Sequence, residues 1–372
     1  MKINSLYQKP QCNFKGWDVM PLKGFYMQGL IKPVEKRIFR EMSEIAQKEH
    51  LDLFVNQNNQ SIKKTLTKFV VPDKNLSIWA QDRKAFIKFK WGDTIYINTN
   101  IEDVPKKSDF AYIGDYEIQT GKYMPRGGNY YLGYKDNGER WAIVNSTELC
   151  KPESFGKFRD CITNEMFCEL FEIHQQNMFI LDVNHTDLDM IIRPIGYPYV
   201  LVNDYSETMK NIEKLRKKFP HSVDIVDKLQ WWADEEQSLQ KNYAQKLRES
   251  GFIPINIGGC YLKSVNFMNA LAFENKNHKI SYITNSTKNS CPELEYLEKL
   301  FENDLREKVK DIEKVHFVSG SKKSNSRHNK MTDFIHLHRI NDEDRSIMDI
   351  LSNRLGGIHC MTAEIPKKNN KF

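Results

Sequence analysis

Near the end of the chain, Leu355 to Pro366 reads LGGIHCMTAEIP. Cys360 is the residue there that could do covalent chemistry, because a thiolate is a strong, soft nucleophile. Gly356 and Gly357 read as a turn that delivers Cys360 onto a short extended segment. Neighbours on a strand face opposite sides, which makes His359 a poor direct partner for the thiol. A base would have to come from elsewhere in the chain, and His185 is the obvious donor. It stands in the segment VNHTDLDMII. If that segment is extended, His185 and Asp187 project together, and Asp189 joins them if the strand continues. One reading is a base and cation-binding carboxylates facing one pocket; a rim strand with a solvated face gives the same pattern.

Two further segments are polar where a site could be lined. Trp79-Ala-Gln-Asp82 places an Asp just before a strand, at the mouth of a site or simply in a turn. Arg126-Gly-Gly-Asn-Tyr130 carries paired glycines, which permit close backbone approach but are also common in turns.

These residues must be positioned by the elements around them. β-branched and aromatic runs bounded by Gly, Pro, Asn or Asp predict strands at Lys84–Lys90, Asp93–Asn98, Trp141–Asn145, Asn177–Val183, Met190–Ile195, Tyr199–Asn203, Lys279–Thr284 and Lys314–Ser319. Helical spacing predicts Pro33–His50, with Val34, Ile38, Met42, Ile45 and Ala46 on one face. It also predicts Ser206–Phe219 opened by a capping serine, one long helix Asp224–Gly251, and Pro292–Val309 with Pro at its first turn. Strands and helices interspersed over the whole length argue an α/β fold. No Pro- or Gly/Ser-rich linker divides the chain, and polar segments 320–331 and 340–346 read as insertions.

The 372 residues are 40% apolar, 28% charged and 12% aromatic, the profile of a globular protein. No run of eighteen apolar residues and no apolar leader is present, so neither a membrane partner nor a secretory signal is expected. A cytoplasmic location follows as the expectation, with export by a signal-independent route left open. Seven cysteines without a CxxC pair support neither a zinc ribbon nor a redox motif; no metal or other cofactor is expected. The formal charge of +6 is spread along the chain, so nucleic acid is not an expected partner.

In their order along the chain, W-x-x-D, G-G-N, H-x-D and G-G-x-H-C-x-T resemble the guanidine-modifying, or pentein, superfamily. The similarity is to agmatine deiminase and the bacterial type of peptidylarginine deiminase, from about residue 65 to Pro366. The resemblance implies an α/β propeller of five ββαβ modules around a central funnel. It would be a single domain over residues 1–372 with insertions, residues 1–64 being partly an extension. It implies Cys360 as nucleophile, His185 as general acid and base, and Asp82 and Asp187 as guanidinium-binding carboxylates. Trp79, Arg126, Gly128, Asn129, Asp189, Gly357 and His359 would contribute to the substrate site. The substrate would be a guanidine, in a protein arginine or a small molecule, converted to a ureido product with loss of ammonia.

Gln81, the run Arg83-Lys84-Ala85, Arg126 and the pair Ala363-Glu364 depart from the family pattern, and they bear on the substrate. An arginine at 126 would favour a substrate carrying a carboxylate, a phosphate or an acidic peptide context. An amidinotransferase would use the same four groups with an amine in place of water. A non-catalytic protein on the same fold should lack them. A papain-like protease fits poorly, because its Cys precedes its His in the chain.

Overall fold

The computed structural model describes residues 22–27, 32–56, 67–70, 80, 84–88, 94–98, 111–112, 125, 127–135, 137–150, 162–183, 186–239, 242–261, 265–321, 346–347 and 357–366. The described chain begins with β1 (Leu22–Met27), α1 (Pro33–Glu49), β2 (Asp52–Asn56) and β3 (Thr67–Val70). Next come β4 (Lys84–Lys88), β5 (Thr94–Asn98) and β6 (Ala111–Tyr112). They are followed by β7 (Tyr130–Tyr134), β8 (Arg140–Asn145), α2 (Asn164–Phe171) and β9 (Met178–Leu181). Then β10 (Ile192–Gly196) and β11 (Tyr199–Asn203) lead through α3 (Tyr205–Lys218), α4 (Val223–Leu239) and α5 (Tyr243–Glu249) to β12 (Ile253–Ile257). A short ribbon, β13 (Cys260–Tyr261) and β14 (Val265–Asn266), precedes β15 (Leu271–Glu274), β16 (Ile280–Asn285), α6 (Pro292–Lys308) and β17 (Ile312–Val318). The described chain closes with the short helix α7 (Ile358–Met361) and β18 (Thr362–Pro366).

Among the described residues, five sheets repeat one pairing: an antiparallel pair whose middle strand also takes a parallel neighbour. The pattern is seen in β4-β5-β6, β7-β8-β9, β10-β11-β12 and β15-β16-β17. In the fifth sheet, β18 from the C-terminal end pairs antiparallel with β1, and β1 pairs parallel with β2. The strand that follows Cys360 is therefore held by β1, the first described strand. A parallel neighbour requires a crossover. That is why α1, α2, the α3–α5 group and α6 each lie between the middle and third strands of their sheet. The middle strands β8 and β16 are buried along their whole length, which explains their nearly unbroken apolar sequences WAIV and ISYI.

All eight expected strand segments lie in strands, with ends displaced by a few residues. Helix α1 buries Val34, Ile38, Met42, Ile45 and Ala46, the face its spacing predicts. Helix α6 starts at Pro292 and buries Leu294, Leu297, Leu300, Phe301 and Leu305. Phe301 stacks on Phe267 at 4.9 Å between ring centres.

Two helix expectations are corrected. The cap of α3 is Asp204, whose carboxylate accepts from the Glu207 amide at 3.0 Å, and Ser206 lies inside the helix. An aspartate offers the first-turn amides a charged acceptor and outcompetes a hydroxyl. The predicted long helix 224–251 is two helices, α4 and α5, with Asn242 left-handed (φ 46°) at the start of the second. Asn adopts that conformation more readily than most residues, and apolar periodicity does not register the break.

Glu49, the last residue of α1, fastens that helix to the β15-β16-β17 sheet. Its buried carboxylate meets His316 Nε2 at 2.8 Å, Lys314 Nζ at 3.0 Å and Ser281 Oγ at 2.9 Å. Burial raises its pKa, but the bonds from His316, Lys314 and Ser281 win and hold it at about 2. A carboxyl depressed on folding stabilises the protein above its unfolded pKa, and this contribution fades as pH falls towards the folded value. Glu49→Gln should therefore cost about 2–3 kcal/mol near neutral pH. Urea melts should show that cost shrinking between about pH 4.5 and 2; a pH-independent cost would contradict the assignment.

Candidate active site

The thiol sits on a helix rather than on the extended segment expected. Ile358–Met361 forms one turn of helix and the strand begins only at Thr362. A helix start leaves backbone N–H groups without internal partners. Here two asparagines supply them: Asn285 Oδ1 accepts from the Ile358 amide (3.0 Å) and Asn269 Oδ1 from the His359 amide (2.9 Å). Thr362 Oγ1 donates back to the Ile358 carbonyl at 2.9 Å, which accounts for the threonine of HCxT. Gly357 enters this turn so closely that a Cβ would stand 2.5 Å from Asn285 Oδ1 and 2.8 Å from Asn269 Oδ1.

Cys360 is 3% exposed, yet its surroundings are polar. Asn269 Nδ2 donates to Sγ at 3.1 Å, and the thiol donates to Asp189 Oδ2 at 3.1 Å. The same Asp189 oxygen accepts from His359 Nδ1 at 2.7 Å. Helical geometry thus replaces the opposite-facing arrangement expected of residues 359 and 360, and both reach one carboxyl. Burial and then the nearby Arg193 guanidinium push the His359 imidazole down to about 3, so it is a neutral donor. Burial pushes Asp189 up to about 7, against the pull of the thiol bond and of Arg193. Its other oxygen, Oδ1, is buried without a hydrogen-bond partner. Arg193 is fixed by Glu364 (2.6 Å) and by stacking over Tyr131 at 5.2 Å.

Asp187 to Asp189 do not form a continuous strand. β9 ends at Leu181, and Leu188–Met190 is a 3₁₀ turn ahead of β10. Asp187 and Asp189 therefore do not share the face of one strand. Tight turning brings Asp189 back over Gly128, where a Cβ would lie 3.3 Å from Asp189 Oδ2.

Asn129 holds the segment in place. Its Nδ2 donates to Asp187 Oδ1 (2.7 Å) and Glu148 Oε1 (2.9 Å), while its Oδ1 accepts from the Leu188 amide (3.1 Å) and Asn145 Nδ2 (2.9 Å). Asn145 Oδ1 accepts in turn from the Val183 amide at 3.2 Å. The chain is clamped at residues 183 and 188, on either side of His185.

Of the expected site residues, Asp187, Asp189, Gly128, Asn129, Gly357, His359 and Cys360 are described. Cys360, His359, Asp189 and Gly128 meet at one carboxyl, and Asn129 ties Asp187 to the same turn. Trp79, Asp82, Arg126 and His185 lie outside the described residues, as does Gln81. Sequence reasoning missed Asn145, Glu148, Asn269 and Asn285, which do the positioning, and Arg193 with Glu364 behind them. The available signal was a recurrence: Asn145, Asn203 and Asn285 each end the middle strand of a repeat. Asn203 plays the equivalent part in its module, accepting from the amides of Gly259 (3.1 Å) and Cys260 (2.9 Å). Among the described residues, no three His, Cys, Asp or Glu side chains gather as metal ligands would. No helix among them is long and apolar enough to cross a membrane.

No protein-family model matches the chain, and no curated protein matches it by sequence. Solved structures do. C. jejuni agmatine deiminase aligns with a TM-score of 0.51 at 11% identity, over 96% of this chain and 99% of that one. An X-ray structure assigned provisionally as an agmatine deiminase gives 0.52 at 12% identity, over 94% of this chain and 95% of its own. The chain thus shares its fold with these two structures over nearly its full length, in keeping with the resemblance in its motifs.

Proposed function

We propose that the protein hydrolyses a guanidinium group to a ureido product and ammonia, with Cys360 as nucleophile. The observation that carries this reading is the meeting of Cys360 with Asp189 and Asn269, beside an H-x-D turn clamped by the asparagine of G-G-N. The five repeated sheets are inferred to ring a funnel that opens on this site, as one domain. A guanidinium is a planar cation with five N–H donors, and carboxylates match it with charge-assisted bonds. Asp187, with Asp82, would take one edge, and the open Oδ1 of Asp189 offers a further acceptor. Sulfur attacks the central carbon to give a tetrahedral adduct. His185 gives a proton to the departing nitrogen, ammonia leaves, and an S-alkylthiouronium remains. His185, now neutral, takes a proton from water, which attacks the same carbon and expels sulfur. A neutral amide would leave buried carboxylates unpaired, which is costly.

Peptidyl-arginine or another arginine-like guanidine is the preferred substrate, on the strength of Arg126; agmatine has no acidic group to meet it. Citrulline or ammonia release over agmatine, arginine and an arginine peptide tests both levels. Release without added amine separates hydrolysis from amidino transfer. Cys360→Ala should abolish turnover. Cys291→Ala should leave it intact, because burial pushes that thiol up to about 12 and it lies at the start of α6. Equal activity in the two variants would remove Cys360 from the site, and equal or better turnover of agmatine would overturn the substrate preference.

A further inference from the structure

We propose that Asp189 is the proton acceptor for the Cys360 thiol, so that sulfur and carboxyl share one proton through the reaction. Its use in catalysis rests on the function proposed above; the shared proton does not. A free thiol is only a few per cent ionised near neutral pH, so the proton must have somewhere to go. His359 cannot receive it: its Nδ1 is engaged at 2.7 Å with Asp189 and its imidazole is held neutral. Asn269 is a donor to sulfur. Among the described residues, Asp189 Oδ2 accepts from the thiol at 3.1 Å.

An ordinary carboxylate would be too weak a base to hold a thiol proton near neutral pH. Burial brings Asp189 to about 7, close to the range of a thiol, so the proton can reside on either atom at small cost. The other groups facing Asp189 are compatible with that transfer. Arg193 offers positive charge balanced by Glu364, Tyr131 is buried with its hydroxyl on the Ile192 carbonyl, and Gly128 adds no side chain. Asp187 is engaged by Asn129 on the same turn.

The step balances. The S–H bond breaks as an O–H bond forms on Asp189, and the sulfur electron pair forms the S–C bond to the guanidinium carbon. At the end the S–C bond breaks and sulfur takes the proton back, regenerating thiol and carboxylate.

Two coupled groups titrate as a pair, in two macroscopic steps. Thiolate absorbance of the wild-type protein, minus that of Cys360→Ser, should rise first near pH 7 and again at alkaline pH. In Asp189→Asn the first rise should vanish, leaving one alkaline ionisation. In the deimination assay Asp189→Asn should lower kcat/KM by about 10²–10⁴-fold and erase the acidic limb of the profile. A wild-type trace with a single alkaline step would overturn the proposal, and it decides alone should the asparagine variant not fold. The expected thiolate steps in a protein that turns over no guanidine would sink the proposed function while sustaining the shared proton.

Discussion

Gly357→Ala is expected to lower turnover at least about 100-fold and to destabilise the protein by about 2–4 kcal/mol. The added Cβ would fall 2.5 Å from Asn285 Oδ1, inside any tolerable contact. Asn285 cannot swing aside cheaply, because its Nδ2 is committed to the carbonyls of Asn266 (2.6 Å) and Asn269 (3.2 Å). Something in the cap must therefore give. If Asn285 moves, the Ile358 amide loses its acceptor; if Asn269 moves, both the His359 amide and the bond to Cys360 Sγ are lost. A displacement of the sulfur by about 1 Å is enough for a hundredfold loss. Thermal melts and steady-state kinetics on the same preparation check both parts. A variant as active and as stable as the wild type would mean that α7 is not held as described.

The α/β character was legible because helical periodicity is strong where one face is buried, as in α1, and an unbroken apolar run marks a wholly buried strand such as β8. The nucleophile and the G-G-N and H-x-D segments could be picked out because their residue types are rare together. The local shape around them was not legible. Whether residues 358–361 coil or extend depends on Asn269 and Asn285, which are 91 and 75 positions away from Cys360 along the chain and leave no trace in local spacing. The 3₁₀ turn at Leu188–Met190 likewise depends on Asn129. Reading that segment as extended gave Asp189 a substrate-facing role alone and hid its contact with the thiol. One non-local regularity was present in the sequence: WAIVN, YVLVN and SYITN each end in the asparagine that holds a returning segment. It is an internal repeat of function rather than of overall similarity, and the paired sheets make it visible.

That recurrence makes Asn129, which extends the Asn145 clamp to the H-x-D turn, the second position of large effect. Asn129→Ala removes one partner each from the buried Glu148, Asn145 and Leu188 amide, and one from the partly buried Asp187. Leaving buried polar groups short of partners costs about 1–3 kcal/mol each, so a loss of about 3–5 kcal/mol is expected, together with loss of turnover. Asn129→Asp separates shape from charge. It keeps the size and an oxygen that can accept from the Leu188 amide and Asn145 Nδ2, but aims a third carboxylate at Asp187 and Glu148, where the amide had donated. Like charges in a buried cluster raise the pKa of its members. A carboxyl whose pKa is higher folded than unfolded is destabilising when ionised, and that penalty is relieved as pH falls through the folded value. Denaturant midpoints for Asn129→Asp should therefore approach those of the wild type on going from pH 8 to pH 5, whereas Asn129→Ala should stay displaced at both. Parallel behaviour of the two variants would show that Asn129 fills space and does not join the acids of the H-x-D turn.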